Sequence, residues 1–262
     1  MDANSSLFPL AYAVVDAEND SNWLWFLQHL RHVLQAHALP VLLDNSLVFL
    51  SDRQKGLIEG VSRLFPDSPH AYCLRHLNDN MRKAGYKHPE LKRLLWKAAR
   101  AMTEVEFNQC LQDMRAINSA CVNWLLSTTA PEHWADLYFQ GHRYGHLTSN
   151  IAEAFNSKLL EAREMPILAM LEEIRHQLMG WYAERRFSER NTIGGIVSGI
   201  ATKIQKLINE RARRYRYVQS TKDLHEIRSQ ETLSEYIVNL ALQACSCREW
   251  QFKVHATQTM LI

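Results

Sequence analysis

The first apolar run, Leu7-Phe-Pro-Leu-Ala-Tyr-Ala-Val-Val15, is continuous, aromatic and β-branched, and turn residues precede it. That composition predicts a buried strand. Asp2-Ala3-Asn4-Ser5 ahead of it reads as a hairpin turn. A hairpin needs a strand on its far side, where only Met1 stands. The apolar period then lengthens. Ser21 is the expected cap of an amphipathic helix whose buried stripe is Trp23, Phe26, Leu27, Leu30 and Leu34. Val41-Leu42-Leu43 and Leu47-Val48-Phe49-Leu50 form a second apolar run that ends in Ser51-Asp52. Residues 56–65 read as a helix with Ile58, Val61 and Leu64 on one face and Pro66 as its stop. His70-Ala71-Tyr72-Cys73 is short and strand-like. Strand, helix, strand, helix, strand is the alternation of an α/β sheet.

Residues 77–140 are rich in Leu, Ala, Met, Trp and Lys and predict several helices with no strand. A further helix starts at Thr148 or Ser149, and Pro166 opens one that runs to about Arg190. Gly194, Gly195 and Gly199 mark a break before a basic helix over 200–216. After Tyr217 the pattern turns to strands, the last over 236–245. The expected division is 1–190, with a helical insertion over about 77–145, a connector of helix and strand over 191–235, and a separate segment over 236–262.

With 262 residues, 47% of them apolar, the chain can bury a sizeable core. No apolar run reaches the length of a membrane span, and the first residues have neither the basic nor the apolar region of a signal peptide. Five cysteines, mostly scattered, suit a reducing compartment. A net charge of +2 says little, but its distribution says more. Residues 1–70 hold eight acids and four bases, whereas 184–216 hold nine Lys/Arg against three glutamates. The basic stretch is either a phosphate-contacting surface, with Arg211, Arg213, Arg214 and Arg216 at its end, or a solvated helix face.

Asp52 ends a buried strand, and ligands of open α/β sheets gather at the carboxyl ends of strands. Glu153 lies near a helix start, in line with Asn150 and Asn156, and beside a stripe of Ile151, Ala154, Phe155 and Leu159. Such an edge can aim a carboxylate into a cleft, although helix starts favour Glu for the dipole alone. Cys73 and His76, three apart, either share a metal or are a buried thiol and a satisfied histidine. Near the C-terminus Cys245, Cys247 and His255 are zinc ligand types, but a closed structural site takes four.

Taken together, five blocks resemble the transposase domain of Mutator-like elements. They are Phe8-Pro-Leu-Ala-Tyr-Ala-Val-Val-Asp-Ala-Glu-Asn19, the stretch from Trp23 to Leu30, Ser51-Asp-Arg-Gln-Lys-Gly56, Cys73-Leu-Arg-His76 and Thr148-Ser-Asn-Ile-Ala-Glu-Ala-Phe-Asn156. Cys245-Ser-Cys-Arg-Glu-Trp-Gln251 looks like the start of a SWIM zinc motif. The resemblance implies an α/β class: a ribonuclease H-like fold, truncated at its N-terminus, with a large all-helical insertion, then helices and a short β-rich C-terminal segment. It implies a triad of two aspartates and a glutamate, with Asp52 second and Glu153 third, 101 residues apart. Cys73 and His76 match the family's Cys-x-x-His signature. The implied reaction is cleavage and strand transfer of DNA in the nucleus, with Mg²⁺ or Mn²⁺ held by the carboxylates. Zn²⁺ would sit at Cys245, Cys247 and His255. Expected partners are transposon-end and target DNA and further copies of the chain, with no membrane.

The chain departs from that pattern at both ends. The family's first Asp lies on a strand upstream of the block that begins here at Asp2. Asp16 and Asp20 fall beyond the far end of the strand at 7–15 and substitute poorly. That strand matches the third of the family's sheet and the one at Leu47–Leu50 the fourth, so the two between them are missing. The expectation is a gapped sheet, or one whose first strand shifts to pair with the Asp52 strand, and an open strand edge in either case. After Trp250 the family's Cys-x-His pair is reduced to His255. The reading is therefore a transposase fragment inactive alone; the alternative is a domesticated, non-catalytic DNA-binding protein acting in transcription.

Overall fold

The computed structural model of the chain describes residues 8–36, 47–189, 198–248 and 259–261. It is mixed α/β and divides into two compact units. One comprises Ala11–Asn150 with Phe252–Ile262, the other Met1–Leu10 with Ile151–Gln251. The run Val41–Leu43 and His255 lie outside the described residues.

The first unit is organised around β1, Val48–Ser51, in which every residue is buried. Parallel strands flank it on both edges: β2, His70–Tyr72, on one side and β7, Thr259–Leu261, on the other. Against expectation, neither edge of β1, the central strand, is left open. A strand buried on both faces strands its backbone donors and acceptors unless both edges are paired, and the C-terminal strand supplies the second edge.

Helix α1, Asp20–Ala36, starts two residues earlier than a Ser21 cap implies, because the Asn19 side chain caps it, accepting from the Asn22 N–H at 2.8 Å. Leu27, Leu30 and Leu34 are buried against α2, Lys55–Leu64. The buried face of α2 contains Gly56, Leu57, Gly60 and Val61; Ile58 is only half-buried. The two glycines are one turn apart and let the helices approach closely. A Cβ at Gly56 would lie 2.5 Å from the Asp20 Cα, and one at Gly60 2.7 Å from the Leu27 Cδ1.

A helical part follows in the same unit: α3, Leu74–Lys83; α4, Pro89–Ala99; α5, Glu104–Ile117; and α6, Ser119–Thr128. Their apolar faces form the largest cluster, with Trp134 fully buried in it. Beside it the buried Arg143 pairs with Asp136, donates to the Trp134 carbonyl at 3.1 Å and lies over the Phe139 ring.

The second unit contains α7, Asn150–Lys158; α8, Leu160–Arg163; and α9, Ile167–Glu189, with Leu159, Ala162, Met170 and Ile174 as its core. The strand expected at 7–15 is overturned for residues 8–15, which form no strand and leave Phe8, Leu10, Tyr12, Val14 and Val15 exposed. Pro9 has no N–H to give a ladder. Phe8 instead stacks on Tyr182 at 4.9 Å, and the Tyr182 hydroxyl donates to the Pro9 carbonyl. The basic helix expected over 200–216 is also corrected. Helix α10 is Ser198–Glu210, and the arginines beyond it occupy a 3₁₀ turn, Ala212–Arg214, and a strand. A meander follows: β3, Tyr215–Gln219; β4, Leu224–Ser229; β5, Glu235–Asn239; and β6, Ala244–Cys245, each antiparallel to the next.

The glycine contacts predict an ordered pair of effects. Gly56→Ala meets backbone and should lower stability by about 1–3 kcal/mol, whereas Gly60→Ala meets a movable Leu27 methyl and should cost less. Urea unfolding of the two variants checks this; equal losses would mean that the helices do not approach as described.

Candidate active site

Asp52 follows the last residue of β1, so the central strand fixes its position. It is half-buried, and its Oδ1 accepts the Gln54 N–H at 3.1 Å. The Gln54 side chain in turn caps α2 by accepting from Leu57 N–H at 2.7 Å. The carboxylate thus stands in a short turn between a buried parallel strand and a helix N-terminus. Arg53 points elsewhere, donating to the Thr128 carbonyl at 3.0 Å, where the exposed carbonyls of a helix end favour a cation. Asp20, a poor substitute on sequence grounds, lies against the start of α2: its Oδ1 is 2.6 Å from the place a Cβ would take on Gly56.

Behind Asp52 lies a polar cluster that the sequence reading did not single out. Ser51 is fully buried, donates to the Asp52 carbonyl at 2.7 Å and lies 2.7 Å from His70 Nε2. With the serine proton committed to that carbonyl, the fitting tautomer has His70 donate from Nε2. His133 donates from Nδ1 to the His70 carbonyl at 2.8 Å and stacks on Tyr72 at 4.5 Å. Burial, with His133 nearby adding to it, pushes His70 down to about 4, so the ring is neutral at pH 7. Burial raises Tyr72 for the mirror-image reason, its charged form being an anion.

Cys73 and His76 sit at the start of α3. The Cys73 N–H donates to Ser51 O at 2.6 Å, continuing the β1–β2 ladder. Its buried Sγ accepts from Ser149 N–H at 3.4 Å. Leu74 N–H donates to Leu147 O at 2.8 Å, and Arg75 Nη1 to Asn150 Oδ1 at 3.0 Å. The motif therefore holds the segment that leads into α7. Glu153 lies on α7, half-buried, within the second unit, whereas Asp52 lies in the first. Of the stripe expected beside it, Leu159 is buried, Ile151 and Phe155 are half-buried, and Ala154 is exposed.

At the other end of the second unit, the turn after β6 sets Cys245 Sγ 3.0 Å from Cys247 Sγ, the first thiol buried and the second half-buried. Arg211 closes α10, Arg213 and Arg214 lie in the 3₁₀ turn, and Arg216 is on β3. Arg214 pairs with Glu231 at 3.2 Å. Among the described residues no three His, Cys, Asp or Glu side chains converge on a metal-sized site, and no helix is long and apolar enough to cross a membrane.

The neutral His70 makes a pH prediction. Its pKa is depressed in the fold, so the unfolded chain binds the extra proton, and stability falls as the pH drops from about 6.5 through about 4. Relative to His70→Gln, the native chain should lose roughly 3 kcal/mol more between pH 7 and pH 4. Chemical denaturation at the two pH values reads this, and parallel losses would show that His70 is not held neutral.

Residues 1–80 match the family model of the MULE transposase domain. Asp52, Cys73 and His76 fall inside the match, and Glu153 and the C-terminal cysteines outside it. No curated protein and no solved structure matches the chain. Over its first 80 residues the chain is thus similar to the transposases of Mutator-like elements.

Proposed function

We propose that the chain is part of a Mutator-like DNA transposase, in which Asp52 and Glu153 are two of the carboxylates that hold Mg²⁺ or Mn²⁺ for DNA cleavage and strand transfer. The observation that supports this most is Asp52 at the carboxyl end of a fully buried parallel strand, inside the stretch that resembles the transposase domain. Asp52 offers the hard oxygen that such ions take. A metal pair about 3.5–4 Å apart would stabilise the attacking and leaving oxygens of a phosphodiester. Two carboxylates do not balance two divalent ions, and this chain is expected to be inactive alone. What the chain's own groups do is clearer. Ser51 and Gln54 fix the Asp52 turn, and Cys73, Leu74 and Arg75 hold the start of the helix that carries Glu153.

The proposed partners are DNA and further copies of the chain, and the proposed location is the nucleus. Zn²⁺ is proposed at Cys245 and Cys247 with His255. Their sulfurs at 3.0 Å are closer than the about 3.8 Å across a tetrahedral zinc, and a slight opening would admit the ion. A second reading, a domesticated DNA-binding protein without catalysis, is favoured by the exposed arginines around β3.

Ferrous iron in place of Mg²⁺, with ascorbate and peroxide, tests the carboxylate assignment without requiring activity. Backbone scission is expected beside Asp52 and beside Glu153, and should vanish at both places in Asp52→Ala. Scission that persists in Asp52→Ala and Glu153→Ala sinks the assignment, as does Mg²⁺-dependent plasmid nicking that survives both changes. For the thiols, Co²⁺ should give a sulfur-to-metal absorption band that Cys247→Ser removes; an unchanged band would exclude the site.

A further inference from the structure

We propose that the exposed edge of the meander, with Tyr215 and Tyr217 on one face of β3, is a binding platform for single-stranded DNA. The choice of DNA over other strands rests on the transposase reading; the platform itself rests on the sheet.

The strand registers sort the side chains without ambiguity. Tyr217 stands opposite Ile227 and Ile227 opposite Tyr236, while Gln219 stands opposite His225 and His225 opposite Val238. Side chains in register share a face, so Tyr215, Tyr217, His225, Ile227, Tyr236 and Val238 all lie on one side. No strand residue of that face is a carboxylate. The opposite face carries Arg216, Glu226, Arg228 and Glu235, and Arg228 pairs there with Glu235 at 3.5 Å. One face is therefore aromatic and free of acid, and the other is internally neutralised.

Exposure is concentrated at the edge. Every residue of β3 is exposed, Tyr215 at 43% and Tyr217 at 71%, while Ile227, Tyr236 and Val238 are half-buried. Two tyrosine rings in line on an edge strand present flat aromatic surface that a stacking ligand can cover. The charges name the occupant. Arg211, Arg213 and Arg214 stand immediately before the strand, and of these Arg214 alone has an ion-pair partner among the described residues. A polyanion with flat apolar groups fits: phosphates on the arginines and bases on the tyrosines. Residues two apart on a strand are about 6.8 Å apart. That is roughly twice the 3.4 Å rise of stacked bases, so each ring takes a splayed base, which a duplex does not offer.

Fluorescence anisotropy of the full chain in EDTA, with labelled oligothymidine of about a dozen nucleotides, tests the proposal independently of any metal chemistry. The native chain should bind the single strand more tightly than a duplex of equal length. Tyr217→Ala should weaken single-strand binding about tenfold and leave duplex binding alone, with a further loss of similar size in the double variant with Tyr215→Ala. Tyr217→Phe should retain the affinity, and Arg213→Gln should weaken both ligands and lower the salt slope by about 0.7 for the single strand. Because Tyr217 is mostly solvent-exposed, its alanine variant should keep the melting profile of the native chain. Single-strand affinity unchanged in Tyr217→Ala, or lost equally in Tyr217→Phe, would overturn stacking; equal affinity for oligouridine would overturn the commitment to DNA. Loss of the ferrous-iron scission at Asp52 and Glu153 would leave these outcomes untouched, so the two readings fail separately.

Discussion

A strand buried along its whole length has to find backbone partners on both sides, and β1 is such a strand. Its four residues are inaccessible, so each unpaired N–H or C=O would carry the full penalty of desolvation. β2 pairs with one edge and Thr259–Leu261 with the other, the latter drawn from the far end of the sequence. What surrounds the strand follows from this demand. The Ser51 hydroxyl, having no water, is satisfied by the Asp52 carbonyl and His70. His70, brought beside it by the parallel register, is kept neutral by the same burial. Cys73 extends the ladder by one more bond before α3 begins. Asp52 is the first side chain after the strand that reaches solvent, and its position is set by everything behind it.

Much of this core was legible because it rests on periodicity. The stripe of Leu27, Leu30 and Leu34, the strand ending at Ser51 and the strand at His70 are all short-range patterns, and each is present. The failures share a cause. The run at 7–15 has the composition of a strand, but composition cannot say whether a partner strand exists, and the Tyr182 ring that takes Phe8 is 174 residues away in sequence. Gly56 and Gly60 carry no hydrophobic signal, so the sequence pattern points to Ile58, Val61 and Leu64 as the inner face of α2, of which Val61 is buried. Asn19 and Ser21 are both competent caps, and only the backbone path chooses. The arginines after Glu210 continue a basic stretch, yet the β-prone Tyr215, Tyr217 and Val218 begin a strand among them.

The site divides in the same way. Asp52 was readable from its place at a strand end, and Cys73 and His76 from their spacing, but not what the cysteine does. Cys-x-x-His suggests a metal when read as a string. In the fold the thiol is an acceptor for a backbone N–H, and its neighbours Leu74 and Arg75 add two more bonds to the same short segment, Leu147 to Asn150. Three bonds to the four consecutive residues Leu147–Asn150 clamp that segment. A weak sulfur acceptor suffices there because the donor is already aligned by the other two.

Cutting and holding DNA, the two roles proposed for this chain, make different demands on a protein. Cutting needs carboxylates fixed to within fractions of an ångström, which calls for a buried scaffold such as β1 and its two flanking strands. Holding a flexible single strand needs exposed flat surface and unpaired cations, which calls for an edge strand such as β3. Asp52 belongs to the unit of residues 11–150 and the tyrosines to the unit of 151–251. The register that aligns Tyr215 and Tyr217 is set by pairing with β4, which in turn pairs with β5. On the proposed reading, loss of the carboxylate site and retention of the tyrosine platform are separable, because the two are built on different strands.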